Sequence, residues 1–488
     1  MRLAWLLIFA CLPAFATDRN AATCAKADVD TAYAAAVDGD RVLLPTCTAT
    51  TWGSALTISK AIQFLGNGEA NTILVNAQFN ITVGDGKTWR VSGFSTSGTT
   101  GFNVTGWSKA GRMDHITFTG GVTGFTANRV FWLSPDSGGF NAGLIDHITF
   151  TPGDNVLNSI QVHHREGDGG NASWTRPLNL GGPDAWYVED SSFRQTPTNT
   201  CAPGGTSPCY NISAPMTDCD GGGRFVFRYN TINTNYFEMH DAIVDGIRGC
   251  RKWEIYNNTW TTNSSDYTAS GQYAQLAIRG GTGVVYNNTF TYAGFTPYLI
   301  IFAAYRTAQS GGVPWGFCPQ KWCSISGAAC LTNTECNPTG TNGTCTTTTP
   351  NKVCTQPGAG VTACSSDANC GGVSGACQLT DGNGRGTGLS GYPCRDQMGT
   401  DGVISGEQQF RPALFWNNKV GSTQYDAGYS GTGDSTYLAA NRDYCNGTGG
   451  GSGQPTTCGG RAVPYTPYTY PHPLQSGFQA PKKATGVN

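Results

Sequence analysis

The 488-residue chain is short of charge, of histidine and of long apolar runs, and each shortage narrows what it can be. Charged residues make up 13 % of it and the net charge is −2, against a usual charged share of about 25 %. Nucleic-acid binding calls for clustered lysine and arginine on one face, so that partner is excluded. Past the amino-terminal leader no segment reaches the roughly 18 apolar residues of a membrane span. Six histidines and the lack of any Cys-x2-Cys pair leave little for a zinc site. The 19 cysteines therefore read as disulfide partners in an oxidising compartment.

What is present begins with a leader. Residues 1–16 carry Arg2, the apolar stretch Leu3 to Leu12 and the small-residue end Ala14-Phe-Ala16, a secretory pattern. Its removal leaves an even number of cysteines and predicts a secreted, extracellular protein, with the periplasm or the cell surface as alternatives. The 67 glycines, with abundant Thr and Asn, fit a turn-rich β structure.

One short phrase returns seven times: Met113-Asp-His-Ile-Thr-Phe118, Ile145-Asp-His-Ile-Thr-Phe150, Val188-Glu-Asp-Ser-Ser-Phe193, Phe227-Arg-Tyr-Asn-Thr-Ile232, Ile255-Tyr-Asn-Asn-Thr-Trp260, Val285-Tyr-Asn-Asn-Thr-Phe290 and Phe415-Trp-Asn-Asn-Lys-Val420. The first six recur every 28 to 43 residues, the period of a stacked-coil solenoid. Each coil would add one parallel strand about 4.8 Å from the last, so equivalent positions form columns. The first position is apolar throughout and predicts core. The fourth runs Ile116, Ile148, Ser191, Asn230, Asn258, Asn288, Asn418; its asparagines predict a stacked amide ladder at a tight, left-handed turn.

Asp28 to Val37 predicts the one convincing helix, capped by Asp28 or Asp30 and closing the open end of the stack. It is followed by Gly39-Asp-Arg-Val-Leu-Leu-Pro45 and Leu56-Thr-Ile-Ser-Lys-Ala-Ile-Gln-Phe-Leu-Gly-Asn-Gly68. This entry resembles that of the pectate-lyase-like superfamily. The resemblance covers roughly residues 25–300 and 400–420 and implies an all-β, right-handed, single-stranded parallel β-helix of about ten coils. The expected organisation is a leader at 1–16, a β-helix with its cap at 17–310, a cysteine-rich insertion at 311–400, final coils at 401–460 and an extended Pro/Tyr-rich tail at 461–488. Cys24–Cys47, at the cap, and Cys219–Cys250, one coil apart, are expected disulfides. The insertion could make protein contacts.

Alternation turns the second position of each phrase away from the core. That column runs Asp114, Asp146, Glu189, Arg228, Tyr256, Tyr286, Trp416. Stacked carboxylates suit a hard cation such as Ca2+, and flat rings in a row suit sugar faces. Met113-Asp-His and Leu144-Ile-Asp-His147 also resemble the Trp-Ile-Asp-His phrase of pectate lyases. That resemblance implies Asp146 as a calcium ligand, with Asp114 its near copy and Glu189 a second acidic ligand. It also implies Arg228 as the base for β-elimination of an acidic polysaccharide. Tyr256, Tyr286, Trp416 and Lys252 are the expected substrate contacts, and one solvent-facing groove is expected to hold Asp146, Glu189 and Arg228.

Two further clusters compete. One is the loop His163-His-Arg-Glu-Gly-Asp168. The other, taken as a lateral loop braced by Cys219–Cys250, carries Glu238, His240, Asp241, Asp245, Arg248, Arg251 and Lys252; His240 and Arg248 join Arg228 as catalytic candidates. Several motifs of the superfamily's enzymes are missing: no His-x-Lys follows an Asn-Asn-x-Phe phrase, and no Arg-x-Pro-x-x-Arg or Gly-His-Gly occurs. Two other readings therefore stay open: a glycoside hydrolase with paired carboxylates, and a non-catalytic, adhesin-like surface protein.

Overall fold

Each recurring phrase forms a strand, a one-residue bend and a second strand. The bend is at the third position: His115, His147, Asp190, Tyr229, Asn257, Asn287 and Asn417 all have φ between 50° and 58°. His, Asp and Asn are the side chains that best tolerate this left-handed region, and Tyr229 is the exception, its ring stacked on Tyr470 at 3.7 Å. The left-handed residue is thus one place before the asparagine ladder rather than in it. The computed structural model describes residues 16–119, 122–126, 129–136, 139–150, 158–164, 169–194, 217–233, 237–241, 248–263, 275–293, 300–302, 396–401, 409–429 and 438–477, with short stretches between 322 and 379.

The protein is mostly β, with two long parallel sheets. In the first, the phrases pair in the expected register, Met113 with Ile145, Val188, Phe227, Ile255, Val285 and Phe415. The second runs from Leu56–Ile58 through Gln78–Ile81, Thr99–Val104, Arg129–Leu133, Asn158–Val162, Thr217–Cys219, Phe237–Met239 and Leu276–Ile278 to Ile300–Phe302 and Gly428–Tyr429. Inward residues of both sheets share one core, in which Phe79, Phe102 and Phe131 stack at 5.0 and 5.4 Å.

The ladder is structural. Asn230 donates to the Oδ1 of Asn258 at 3.2 Å, Asn258 to Asn288 at 3.0 Å and Asn288 to Asn418 at 3.0 Å. All four side chains are buried, where an unmade hydrogen bond would cost about 1–3 kcal/mol. Ser191 joins the amides to the apolar coils before them: its N–H donates to Asn230 Oδ1, and its Oγ accepts from the N–H of Ile148.

The helix spans Lys26–Ala35 and buries Val29 and Ala32. It is not capped by Asp28 or Asp30: Ala25 holds the cap position, and Thr23 Oγ1 accepts the Ala25 N–H and donates to Asp28. Cys24–Cys47 and Cys219–Cys250 are bonded as expected, and Cys445–Cys458 forms a third disulfide. Within the insertion, Trp322–Cys323 pairs with Cys345–Thr346 and Lys352–Cys354 with Cys377–Leu379; most of it, and its cysteine pairing, lies outside the described residues. No described helix is long and apolar enough to cross a membrane.

The carboxy-terminal segment runs across the outer face of the first sheet. Tyr465 packs on Tyr286 and Trp416, Tyr468 on Tyr187, and Leu474 reaches down to Arg112. Beneath it is a second apolar cluster that includes Leu144, Tyr187, Val226, Val284 and Leu414.

Candidate functional site

The register confirms the outward column of the first sheet: Asp114 pairs with Asp146, Asp146 with Glu189, Glu189 with Arg228, Arg228 with Tyr256, Tyr256 with Tyr286 and Tyr286 with Trp416. The column is not solvent-facing. Asp114, Asp146, Glu189 and Arg228 are each 0 % exposed, so the expectation of one open groove is corrected. The cause is the covering segment, which satisfies the column from outside. Arg228 donates to the carbonyls of Tyr468 and Thr469, both at 2.7 Å. Arg112 donates to the carbonyls of Leu474 and Gln475, and the His472 N–H donates to Glu189.

Arginines from the neighbouring outward column neutralise the acids. Arg90 grips Asp114 at 2.7 and 2.6 Å, and Arg112 grips Asp146 at 2.8 Å twice. Burial alone would raise the Asp114 carboxyl, but Arg90 and His115 hold it well below the usual carboxylate range. Burial pushes Glu189 up to about 7 against the pull of Arg228. Carboxylates already occupied by guanidinium groups do not fit a calcium ion, which needs several oxygen ligands of its own. Tyr256, Tyr286 and Trp416 do stack, at 4.6 and 4.2 Å, but beneath Tyr465 rather than toward a sugar.

Two other expected residues have structural surroundings. Lys252 is fully buried, with Nζ on Glu254 and on the carbonyls of Asn179 and Gly182. Arg248 is bidentate to Asp396 and lies over the Trp174 ring at 4.4 Å. It ties the return of the chain after the insertion to the coil below. Arg165, Glu166 and Asp168, like Asp245, lie outside the described residues.

His240 has a different setting, on the outer face of the second sheet. Glu238 belongs to the strand Phe237–Met239 rather than to a loop. The outward column there runs Asn80, Asn103, Trp132, Gln161, Asp218, Glu238, Ala277. Just past the strand ends, His163 meets Asp220, and His240 is followed one coil on by Arg279. Asp218, Glu238 and His240 bring ligand-type atoms within 4.8 Å of one another. His240 Nε2 lies 3.0 Å from Asp218, 3.5 Å from Glu238 and 3.3 Å from Arg279 Nη2, and Arg279 also binds Glu238. The Asp218 and Glu238 side chains keep 13 % and 19 % of their surface, more than Glu189, although Asp218 Oδ1, the atom facing His240, is buried.

The electrostatics favour a charged pair. Burial would lower the His240 pKa, but the Asp218 carboxylate overrides it and the net shift is upward. Burial would likewise raise Asp218, and His240 holds it below the usual carboxylate range. Position is fixed by close packing and by the Cys219–Cys250 disulfide between the flanking strands. A Cβ at Gly280 would come within 2.3 Å of the His240 carbonyl oxygen, so only glycine allows that coil to seat. The sequence flagged His240 and Glu238 but missed Asp218 and Arg279. The available signal was the one-coil register that the Cys219–Cys250 spacing already implied.

No family model matches the chain, and no curated protein matches its sequence. Among solved structures, an alginate lyase from Paenibacillus sp. str. FPU-7 superposes with a TM-score of 0.38 at 16 % identity, over 59 % of this chain and 99 % of that chain.

Proposed function

We propose that the protein is a secreted, right-handed parallel β-helix that binds an acidic polysaccharide and cleaves it by β-elimination, on the outer face of its second sheet. One observation carries the reading: His240 Nε2 lies between a carboxylate and a guanidinium, beside Asp218 and Glu238 side chains that keep part of their surface. β-Elimination needs a base for the proton α to the uronate carboxylate and positive charge to stabilise the carbanion that develops. In the neutral ring Nε2 donates to Asp218, so the proton is taken on Nδ1, which carries no hydrogen bond among the described residues, and Asp218 stabilises the imidazolium that forms. Arg279 faces the uronate carboxylate. The electrons of the broken C–H bond form the new double bond as the glycosidic oxygen leaves.

Among the described residues, Asp218 and Glu238 are the carboxylates that would meet a calcium ion here, and Arg279 already holds Glu238, so the cation would have to displace it. The test is incubation with a panel of uronate polymers, reading ultraviolet absorbance of unsaturated ends, with and without chelator. Turnover by the parent and its loss in His240→Gln support the reading. Reducing ends without unsaturation would instead point to hydrolysis by Asp218 and Glu238. Binding without turnover would favour the non-catalytic surface protein.

A further inference from the structure

We propose that His115 and His147 form a surface site for one divalent transition-metal ion of the zinc and copper type, separate from the His240 cluster. Composition argued against zinc because histidine is scarce, but the one-coil register sets two of the six side by side. Both occupy the bend position of their coil, with φ of 50° and 51°. Their rings lie parallel, 4° apart in plane and 4.7 Å between centroids. The side chains keep 48 % and 43 % of their surface, so they are the open end of an otherwise sealed network.

That network fixes which nitrogen is offered. His115 Nδ1 lies 2.7 Å from Asp114, and His147 Nδ1 2.7 Å from Asp146. Arg90 and Arg112 hold both aspartates as carboxylates, so each Nδ1 donates and each Nε2 carries a lone pair. Neither Nε2 meets a hydrogen-bond partner among the described residues. A carboxylate on the second ring nitrogen is the arrangement that orients imidazoles toward metals. The bend itself does not require imidazole, since Asn257, Asn287 and Asn417 make it in later coils. In the coil after His147 the position belongs to Asp190, already taken by Tyr470 and Gln475, so the protein supplies two ligands and water the rest. A zinc–nitrogen bond is about 2.0–2.1 Å, so both Nε2 must lean inward from the stack; their exposed edges can do so while each Nδ1 stays on its aspartate. Imidazole suits zinc, copper and nickel, whereas calcium and magnesium prefer oxygen. A bound ion would clamp two consecutive coils and raise stability by mass action.

The experiment titrates Zn2+ and, separately, Cu2+ into the full chain without an affinity tag, by calorimetry. It uses the parent, His115→Asn, His147→Asn and His240→Gln; Asn is the residue that makes this bend in later coils. The parent should bind Zn2+ with a Kd on the order of 10 µM, and Cu2+ more tightly. Each Asn variant should bind at least about tenfold more weakly and lose the rise in melting temperature that Zn2+ gives the parent, while His240→Gln keeps both. In the parent, Zn2+ should also slow diethyl pyrocarbonate modification of His115 and His147, mapped by mass spectrometry, a readout that needs no variant to fold. No saturable binding by the parent, parent-like affinity in both Asn variants, or modification of both rings at the same rate with and without Zn2+ would overturn the site. Loss of binding in His240→Gln alone would move the metal to the Asp218, Glu238 and His240 cluster and overturn it as well.

Discussion

The two sheets carry outward columns built by the same alternation rule, yet one is sealed and the other keeps half-buried side chains, Asp218 and Glu238 among them. In the first sheet the outward positions two residues before the column are largely apolar: Leu144, Tyr187, Val226, Val284 and Leu414. Such a face cannot stay in water, and the carboxy-terminal segment closes it. In the second sheet the outward column is polar from Asn80 to Glu238, apart from Trp132, and the described part of the tail lies on the other face. Turning away from the core and facing solvent are therefore separate properties. The charges on the sealed face are a network stapled by the tail, whereas the paired Asp218 and Glu238 of the second face keep part of their side-chain surface in solvent.

Deleting residues 463–477 tests that contrast most severely. Val463 and Tyr465 are buried, and each large apolar side chain removed from water contributes about 1.5–3 kcal/mol, so the loss should be on the order of 5 kcal/mol in denaturant melts. A truncated protein that melts like the parent would break the comparison. Next, Asp146→Ala strands the Arg112 guanidinium and should cost about 3–5 kcal/mol, while Asp218→Asn, which keeps a hydrogen-bonding group beside His240, should cost less, about 1–3 kcal/mol.

Acid should act through the seal. Burial, aided by Arg228, lowers His472 to about 4, so the fold keeps this ring neutral while the unfolded chain protonates near the ordinary histidine value of 6.5. The folded state then binds fewer protons, and stability falls as pH drops from about 6.5 toward about 4. His472→Asn should flatten this part of the pH–melting curve relative to the parent. Asn258→Ala should cost about 1–3 kcal/mol, with no change in the pH profile.

Much of the frame was legible in the sequence. The seven phrases predicted the register, the ladder and the Cys219–Cys250 bridge, because period and spacing are properties of the backbone path. The seal was harder to read. Its signals were Arg112 two residues before Asp114, which puts both on one face, and unbroken apolar runs such as Trp186-Tyr-Val188, which mark strands buried on both sides. The contacts of Tyr468 and Thr469 with Arg228 pass through backbone carbonyls some 240 residues away, and no local pattern encodes them. The His240 cluster was seen only in part, because its members come from three coils that the repeat phrase does not include.

The most direct measurement of the central claim is turnover of uronate polymers by His240→Gln and by Arg228→Lys, each compared with the parent at equal folded fraction. If the second face is the reactive one, His240→Gln loses at least about a hundredfold in rate. Arg228→Lys, once corrected for its stability, keeps the parent's rate. The reverse pattern, with Arg228→Lys inactive and His240→Gln unimpaired, would contradict the account and return the chemistry to the sealed column.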